Sequence, residues 1–293
     1  MRPWLWAAAG IVAIGIVVAA VMLRPVTGPE RDLTLTADAQ RGAYLIRLGG
    51  CVSCHTDTAN EGALLAGGPG LSTAFGTFYA PNITPHAEAG IGTWTLAQFA
   101  KAMSDGEGPS GHLYPVFPYE NYTQMTDQDV VDLYAALKEV PPDAASAPEH
   151  QVLFPFSIRL ALAGWKNMFF RPSRFEPDPD RSELWNRGAY LANGPAHCVA
   201  CHSPRNLLGA IEAGQELTGN ASGGPGGRTP PLTRDALQAE GYDADTLVEA
   251  LQTGFTPNFD VLGGAMGEVV RDGTSHWTDE DLRAVAAYLL GEG

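Results

Sequence analysis

Cys51-Val52-Ser53-Cys54-His55 and Cys198-Val199-Ala200-Cys201-His202 use every cysteine in the chain, and both have the spacing C-x-x-C-H. Thiols three residues apart stand almost one helical turn apart, so both can add to the two vinyl groups along one edge of a haem. The histidine that follows at once turns its imidazole under the ring to bind iron. C-x-x-C-H is the attachment signature of c-type haem. Two covalently bound haem c groups are therefore expected, attached through Cys51, Cys54, Cys198 and Cys201, with His55 and His202 as proximal iron ligands. A zinc site built from two C-x-x-C pairs, a thioredoxin-like pair and two ordinary disulfides are the competing readings. None of them accounts for a histidine after both pairs.

A methionine on the far side of the iron raises the reduction potential and closes the metal to outside ligands. Of six methionines, Met1 and Met22 lie in or before the apolar N-terminal stretch. Met266, in Gly263-Gly264-Ala265-Met266-Gly267, reads as a residue of a flexible loop ahead of a helix and is the expected distal ligand of the second haem. For the first haem the choice lies between Met125, just before a helix cap, and Met103, whose helical surroundings suit a core position. Met125 is the expected ligand. Bis-histidine ligation would draw on His86, His112, His150, His197 or His276, with His112 the leading candidate of the five.

The elements that must position these groups repeat. Arg41-Gly42-Ala43-Tyr44-Leu45 precedes the first motif and Arg187-Gly188-Ala189-Tyr190-Leu191 the second. Thr126-Asp127-Gln128-Asp129 opens a helical pattern through Leu137, and Thr278-Asp279-Glu280-Asp281 opens another through Leu290. In both, the threonine is a good N-cap, acids fill the first turn and apolar residues recur at helical spacing. The predicted units are residues 37–141 and 184–293. Between them, residues 142–183 are rich in proline and hold Phe154, Phe156, Trp165, Phe169 and Phe170. A free linker has no use for five large aromatics, so this segment is expected to pack on one or both units. A short helix is predicted over Ser157–Trp165, and the glycine-rich run from Gly219 to Gly227 reads as a mobile surface loop.

Trp4 to Leu23 is an uninterrupted apolar stretch of 20 residues. At ~1.5 Å per residue it spans ~30 Å, the thickness of a bilayer core. Residues 1–25 are accordingly expected to be a transmembrane anchor. A cleaved signal peptide is the alternative, but its apolar region ordinarily runs only ~7–15 residues. Beyond residue 25 the chain has 16 basic residues against 33 acidic ones. Such a surface repels nucleic acid and anionic lipid, which excludes a nucleic-acid role. It serves either solubility or docking of a basic partner.

The sequence resembles the cytochrome c subunits of bacterial membrane-bound alcohol, aldehyde and sugar dehydrogenases. The likeness runs through Phe75-Gly76-Thr77, Pro81-Asn82-Ile83-Thr84, Leu113-Tyr114-Pro115, Phe154-Pro155-Phe156, Trp185-Asn186-Arg187-Gly188, Cys201-His202 with Pro204-Arg205-Asn206, and Met266-Gly267-Glu268-Val269-Val270. The resemblance implies an all-α fold of two tandem class I-like cytochrome c domains with long loops, preceded by one transmembrane helix. It implies a carrier that takes electrons from a periplasmic dehydrogenase subunit. The acceptor would be an oxidase, a soluble cytochrome or a quinone-linked component of the respiratory chain. Attachment of haem outside the bacterial inner membrane in proteins of this kind places the soluble part in the periplasm. The resemblance also maps His55 and His202 onto proximal ligands and Met266 onto a distal one. Two departures stand out: the chain has two C-x-x-C-H motifs where relatives often have three, and Phe117 stands where some relatives have methionine. The second departure supports an alternative, a dihaem redox enzyme (a peroxidase or a thiosulfate-oxidising protein) with one open haem. Arg205 pairing with a haem propionate and Asn82 bonding near a haem edge are further expectations.

Overall fold

The computed structural model describes Trp4, Gly15, Val17 and residues 20–224 and 227–292. The expected anchor at residues 1–25 therefore lies largely outside the described residues. Among those that are described, no helix is long and apolar enough to cross a membrane.

The first repeat opens with α1 (Ala39–Leu48), where the Asp38 side chain accepts from Arg41 N. After Gly50, in the left-handed region at φ 64°, comes α2 (Cys51–His55). A hairpin of β1 (Gly70–Thr73) and β2 (Gly76–Tyr79) follows. Then comes α3 (Leu96–Asp105), started by reciprocal bonds between Thr95 and Gln98. The short pair β3 (Glu107–Gly108) and β4 (Gly111–His112) leads to α4 (Tyr119–Tyr122) and to α5 (Asp127–Glu139), capped by Thr126. The connecting segment contributes β5 (Gln151–Val152) and α6 (Ala161–Phe169). The second repeat has α7 (Glu183–Asn193), α8 (Cys198–His202), the hairpin β6 (Asn220–Gly224) and β7 (Gly227–Thr229), then α9 (Arg234–Ala239), α10 (Ala244–Thr253), α11 (Gly264–Asp272) and α12 (Asp279–Leu290), capped by Thr278.

Each repeat closes by crossing its opening helix over its final one, backbone against backbone. A Cβ on Gly42 would lie 2.0 Å from the carbonyl oxygen of Asp132, and one on Gly188 would lie 1.8 Å from that of Ala284. Only glycine permits this approach, which gives the glycine of each Arg-Gly-Ala-Tyr-Leu segment its purpose. Around the first crossing Leu45, Val52, Phe99, Met103, Met125 and Leu133 form one buried cluster. Around the second, Leu191, Val199, Leu251, Trp277, Leu282 and Val285 form another, which Leu48 of the first repeat also joins.

The chain is mostly helical, as expected, but not all-α. Three small antiparallel sheets occur among the described residues. The largest has the order β1-β2-β5, so the connecting segment adds a strand to the first repeat. Gly76, at φ 128°, lets it approach, since a Cβ there would lie 2.1 Å from Gln151 O. Within the glycine run read as a mobile loop, the described residues of β6 and β7 pair antiparallel, Asn220 opposite Thr229 and Gly224 opposite Gly227, with positive φ at Gly223 and Gly227. The predicted helix at Ser157–Trp165 starts later, at Ala161, after a series of tight turns from Leu153 to Leu162. Trp165 of α6 and Phe170 just after it are buried against Tyr119 and Ala210, one from each repeat. Phe156 sets its ring edge-on against Phe75 of the first repeat, centroids 4.8 Å apart, while Phe154 stays exposed, against the expectation for the five aromatics.

The repeats are joined by an exchange. Tyr44 donates to Asp281 Oδ2 at 2.6 Å and its oxygen accepts from Thr278 N at 3.2 Å, finishing the N-terminus of α12. Tyr190 donates to Asp129 Oδ2 and accepts from Thr126 N at 3.1 Å, finishing α5 in the same way. Each aspartate is also held by the arginine of its own repeat, Asp281 by two bonds from Arg187 and Asp129 by Arg41. Asp129 and Asp281 are buried, so losing a donor leaves a charged acceptor short of partners. Tyr190→Phe is expected to lower stability by about 1–3 kcal/mol, and Tyr44→Phe to lower it less because that side of the junction is more exposed. Denaturant titration of the haem-loaded protein checks both.

Candidate metal centres

The two C-x-x-C-H motifs occupy α2 and α8, so each puts its two thiols and its imidazole on a single short helix. No disulfide joins any of the four cysteines. Burial pushes Cys51 and Cys198 up to about 12, so these groups are neutral before attachment and conversion to thioethers removes no charge. Burial also lowers His55 and His202, keeping the imidazoles neutral as iron ligation demands.

A common cradle surrounds both motifs. His55 Nδ1 meets the carbonyl oxygen of Pro81 at 2.6 Å, and His202 Nδ1 meets that of Pro230 at 2.8 Å. A carbonyl can only accept, so Nδ1 carries the proton and Nε2 keeps its lone pair for a metal. Gly67 N donates to His55 O at 2.9 Å, and Gly219 N donates to His202 O at 2.8 Å. Thr56 Oγ1 accepts from Leu65 N and Ser203 Oγ accepts from Leu217 N, both at 3.0 Å. Leu65 and Leu217 hold φ 60° and φ 62°, a conformation rare for leucine and present here at matching points. This donor set fits haem c: paired thiols, a following imidazole with the right nitrogen free, and an apolar cluster beside each helix.

The structure brings the expected distal ligands to the same cores. Met125 is 1% exposed, in the cluster against which Cys51 packs, and its carbonyl accepts from Arg31 at 2.8 Å and Arg174 at 3.4 Å. Met103 is buried in that cluster too, on α3. Met266 packs with Cys198 against the second cluster, but from the helix α11 and not from a loop. Gly263 in an extended N-cap position lets α11 start two residues before it. Phe117 packs on Tyr122 with ring centroids 5.3 Å apart, in the first cluster.

Other candidates are placed elsewhere. His112 lies on β4 with Nδ1 3.3 Å from Lys166 Nζ. His86 Nδ1 accepts from Glu88 N and Ala89 N, and His150 Nδ1 accepts from Tyr79 N between Phe78 and Tyr114. Asn82 is 3% exposed and spends its amide on the backbone: Nδ2 donates to Asp143 O and Ala145 O, and Oδ1 accepts from Thr84 N. It therefore acts as the clamp of the loop that carries Pro81, the residue whose carbonyl meets His55. Arg205 binds Gly209 O and Ala200 O, which braces α8, while its buried Nε has no partner among the described residues.

Sequence reasoning missed the Pro81 and Pro230 carbonyls, the Thr56 and Ser203 hydroxyls and the Leu65 and Leu217 turns. The hydroxyl residue directly after each motif, and Leu-x-Gly downstream of both, were the available signals.

The motifs also abut one another. His197, left-handed at φ 44°, stacks on Tyr122 with centroids 5.5 Å apart. A Cβ on Gly50 would lie 3.7 Å from His197 Cε1. Asn121 Nδ2 and Gln124 Nε2 both donate to Asn193 O, at 2.8 and 3.3 Å. The Cys54 thiol is pushed up to about 11, first by burial and then by the neighbouring Cys201 sulfur and Glu268.

No family model matches the chain. Among curated relatives, a dihaem cytochrome c-type protein of Cereibacter sphaeroides is 41% identical over 294 residues, covering 99% of this chain and 98% of the relative. The chain belongs to the dihaem c-type cytochromes. The cytochrome is also 40% identical over 295 residues to a nicotinate dehydrogenase subunit of Pseudomonas putida, of which it spans 24%. With the cytochrome c subunit of the quinone alcohol dehydrogenase of Gluconacetobacter polyoxogenes it shares 38% identity over 275 residues, spanning 56% of that subunit. A cytochrome of this kind carries haem c and transfers electrons.

The surroundings of the site can be probed at two side chains. Asn82→Ala strips partners from Thr84 N and two carbonyls and is expected to cost about 2–3 kcal/mol. By loosening the Pro81 carbonyl from His55 it is also expected to raise the first haem's midpoint potential, read by spectroelectrochemistry. Glu120, in α4, is pushed up to about 7 by burial, against the pull of Arg205. Its native form holds a proton that the unfolded chain gives up near the ordinary carboxylate range, so stability falls as pH rises from about 4.5 through 7. Glu120→Gln is expected to add about 1–3 kcal/mol at pH 8 and nothing at pH 4, measured by urea unfolding at both values.

Proposed function

We propose that this chain is a membrane-anchored electron-transfer subunit with two haem c groups, one in each of two cytochrome c domains over residues 37–141 and 184–293, joined by the packed segment 142–183. It would take electrons from a dehydrogenase in the periplasm and pass them to the respiratory chain. Residues 1–25 would hold it to the inner membrane as a single span. The observation that carries the reading is the paired cradle: two C-x-x-C-H helices with matched imidazole–carbonyl bonds, packed against each other at Tyr122 and His197. Relatives with the names of alcohol, fructose and gluconate dehydrogenase cytochrome subunits support a dehydrogenase as donor.

When bound, haem c supplies a one-electron iron couple. The chain's own part is to fix its surroundings. Cys51, Cys54, Cys198 and Cys201 tether the groups, and His55 and His202 are the proximal ligands, each aimed by a backbone carbonyl. Met266 and Met125 are the distal ligands in this reading. Met125 suits the role because two arginines fix its backbone while its side chain stays in the core. Among the described residues, no three His, Cys, Asp or Glu side chains gather to hold a metal ion by themselves.

Purified full-length protein is expected to show two haems per chain, one after Cys198→Ala with Cys201→Ala, counted by pyridine haemochrome. Neither reduced haem should bind carbon monoxide. A first haem that takes up the gas would displace Met125 as ligand. It would also favour the second reading, an enzyme with one open iron, to which Phe117 in place of methionine lends support.

A further inference from the structure

The acidity of the chain is not evenly spread. None of its 33 acidic residues precedes Glu30, and none falls between His150 and Phe175, a stretch that holds Arg159, Lys166, Arg171 and Arg174. These two acid-free stretches meet in the fold. Asn167 on α6 donates to Met22 O at 3.1 Å and Arg24 O at 2.8 Å, and a Cβ on Gly164 would touch the Met22 side chain at 3.3 Å. The chain leaving the apolar segment Trp4–Leu23 is thus pinned to α6.

Beside that exit lies a concentration of apolar side chains left in the open. Leu153, Phe154, Ile158 and Leu160 are exposed, Phe154 at 82%, Phe156 keeps one side open while its ring rests on Phe75, and Met168 continues the face along α6. The cations of the stretch do not interrupt it. Arg159 lies over the Tyr114 ring at 4.8 Å with Nη1 on His112 O, Lys166 is buried on Asp105 O and Gly106 O, and Arg174 is bound to Asp127. Arg24 and Arg171 are exposed and both meet Asn167: Arg24 O accepts from Asn167 Nδ2, and the Arg171 guanidinium donates to Asn167 O, Phe170 O and Met168 O at the end of α6, its remaining N–H groups facing out.

We propose that this face rests on an anionic lipid surface beside the N-terminal segment. Leu153 to Leu160 and Met168 would lie at the acyl boundary, and Arg24 and Arg171 at the level of the lipid phosphates. The physical case is that exposed apolar side chains without acids, flanked by cations, match an interface that is apolar inside and negative at its rim. The rest of the surface, with its acidic excess, is repelled from the same interface and kept upright in water. The inference rests on reading Trp4–Leu23 as the anchor, and goes beyond it by assigning the face of the haem-bearing body that the membrane meets.

The test uses the full-length, haem-loaded protein in vesicles of equal parts phosphatidylcholine and phosphatidylglycerol. Because all four native cysteines are consumed by haem, a nitroxide attaches only at an introduced one. Phe154→Cys and Leu160→Cys report the face, and Glu280→Cys, among the acids that open α12, is the reference. Accessibility to oxygen relative to a nickel chelate is expected to be several-fold higher at 154 and 160 than at 280, and to fall toward the reference when Arg24→Glu and Arg171→Glu are added. Protein that floats with the vesicles while 154 and 160 remain as accessible to nickel as 280 overturns this face as the lipid contact, leaves the anchor standing and hands the patch to a protein partner. Protein that does not float with the vesicles overturns the anchor itself, and the inference with it.

Discussion

Two buried carboxylates, Asp129 and Asp281, organise the molecule. Each receives an arginine from its own repeat and a tyrosine hydroxyl from the other. A buried charge must be fully partnered to be tolerated, so neither closing helix is complete until the opposite repeat delivers its tyrosine. The mutual completion fixes how the two repeats face each other. It therefore fixes how α2 and α8 meet, with His197 laid on Tyr122 between them. For a carrier that must move electrons from one iron to the next, a rigid junction is a functional requirement as much as a structural one.

Around that junction the same solution appears twice. In both repeats a glycine lets the opening helix press on the backbone of the closing one, a hydroxyl after the motif catches a left-handed leucine, and a prolyl carbonyl orients the imidazole. The connecting segment is part of the assembly too. It extends the first sheet through β5, buries Trp165 and Phe170 between the repeats, and places the Lys166 ammonium on the final carbonyls of α3, where positive charge complements the helix dipole.

Much of this was legible in the residues. The capped closing helices over Asp127–Glu139 and Asp279–Leu290 were announced by Thr126 and Thr278 and by the acids behind them, since capping is a local interaction that depends on few neighbours. The motifs showed their own chemistry for the same reason. What escaped was set by contacts distant in the chain. Short strands such as Gly70–Thr73 carry no alternating pattern and exist because a partner strand lies alongside. Met266 looked like a loop residue because glycines surround it, yet packing on the second core carries it into α11. The bonds that Arg205 and Asn82 make to carbonyls of neighbouring loops were equally out of view, because their acceptors are set by how those loops pack.

The partner of each proximal imidazole is a main-chain oxygen, not a carboxylate or an amide. Mutation can replace a side chain but cannot delete a carbonyl, so the protonated nitrogen of His55 and of His202 is guarded by the path of the chain itself. Lineages can drift at the residues that provide it and keep the iron's electronic environment, provided the loop stays in place.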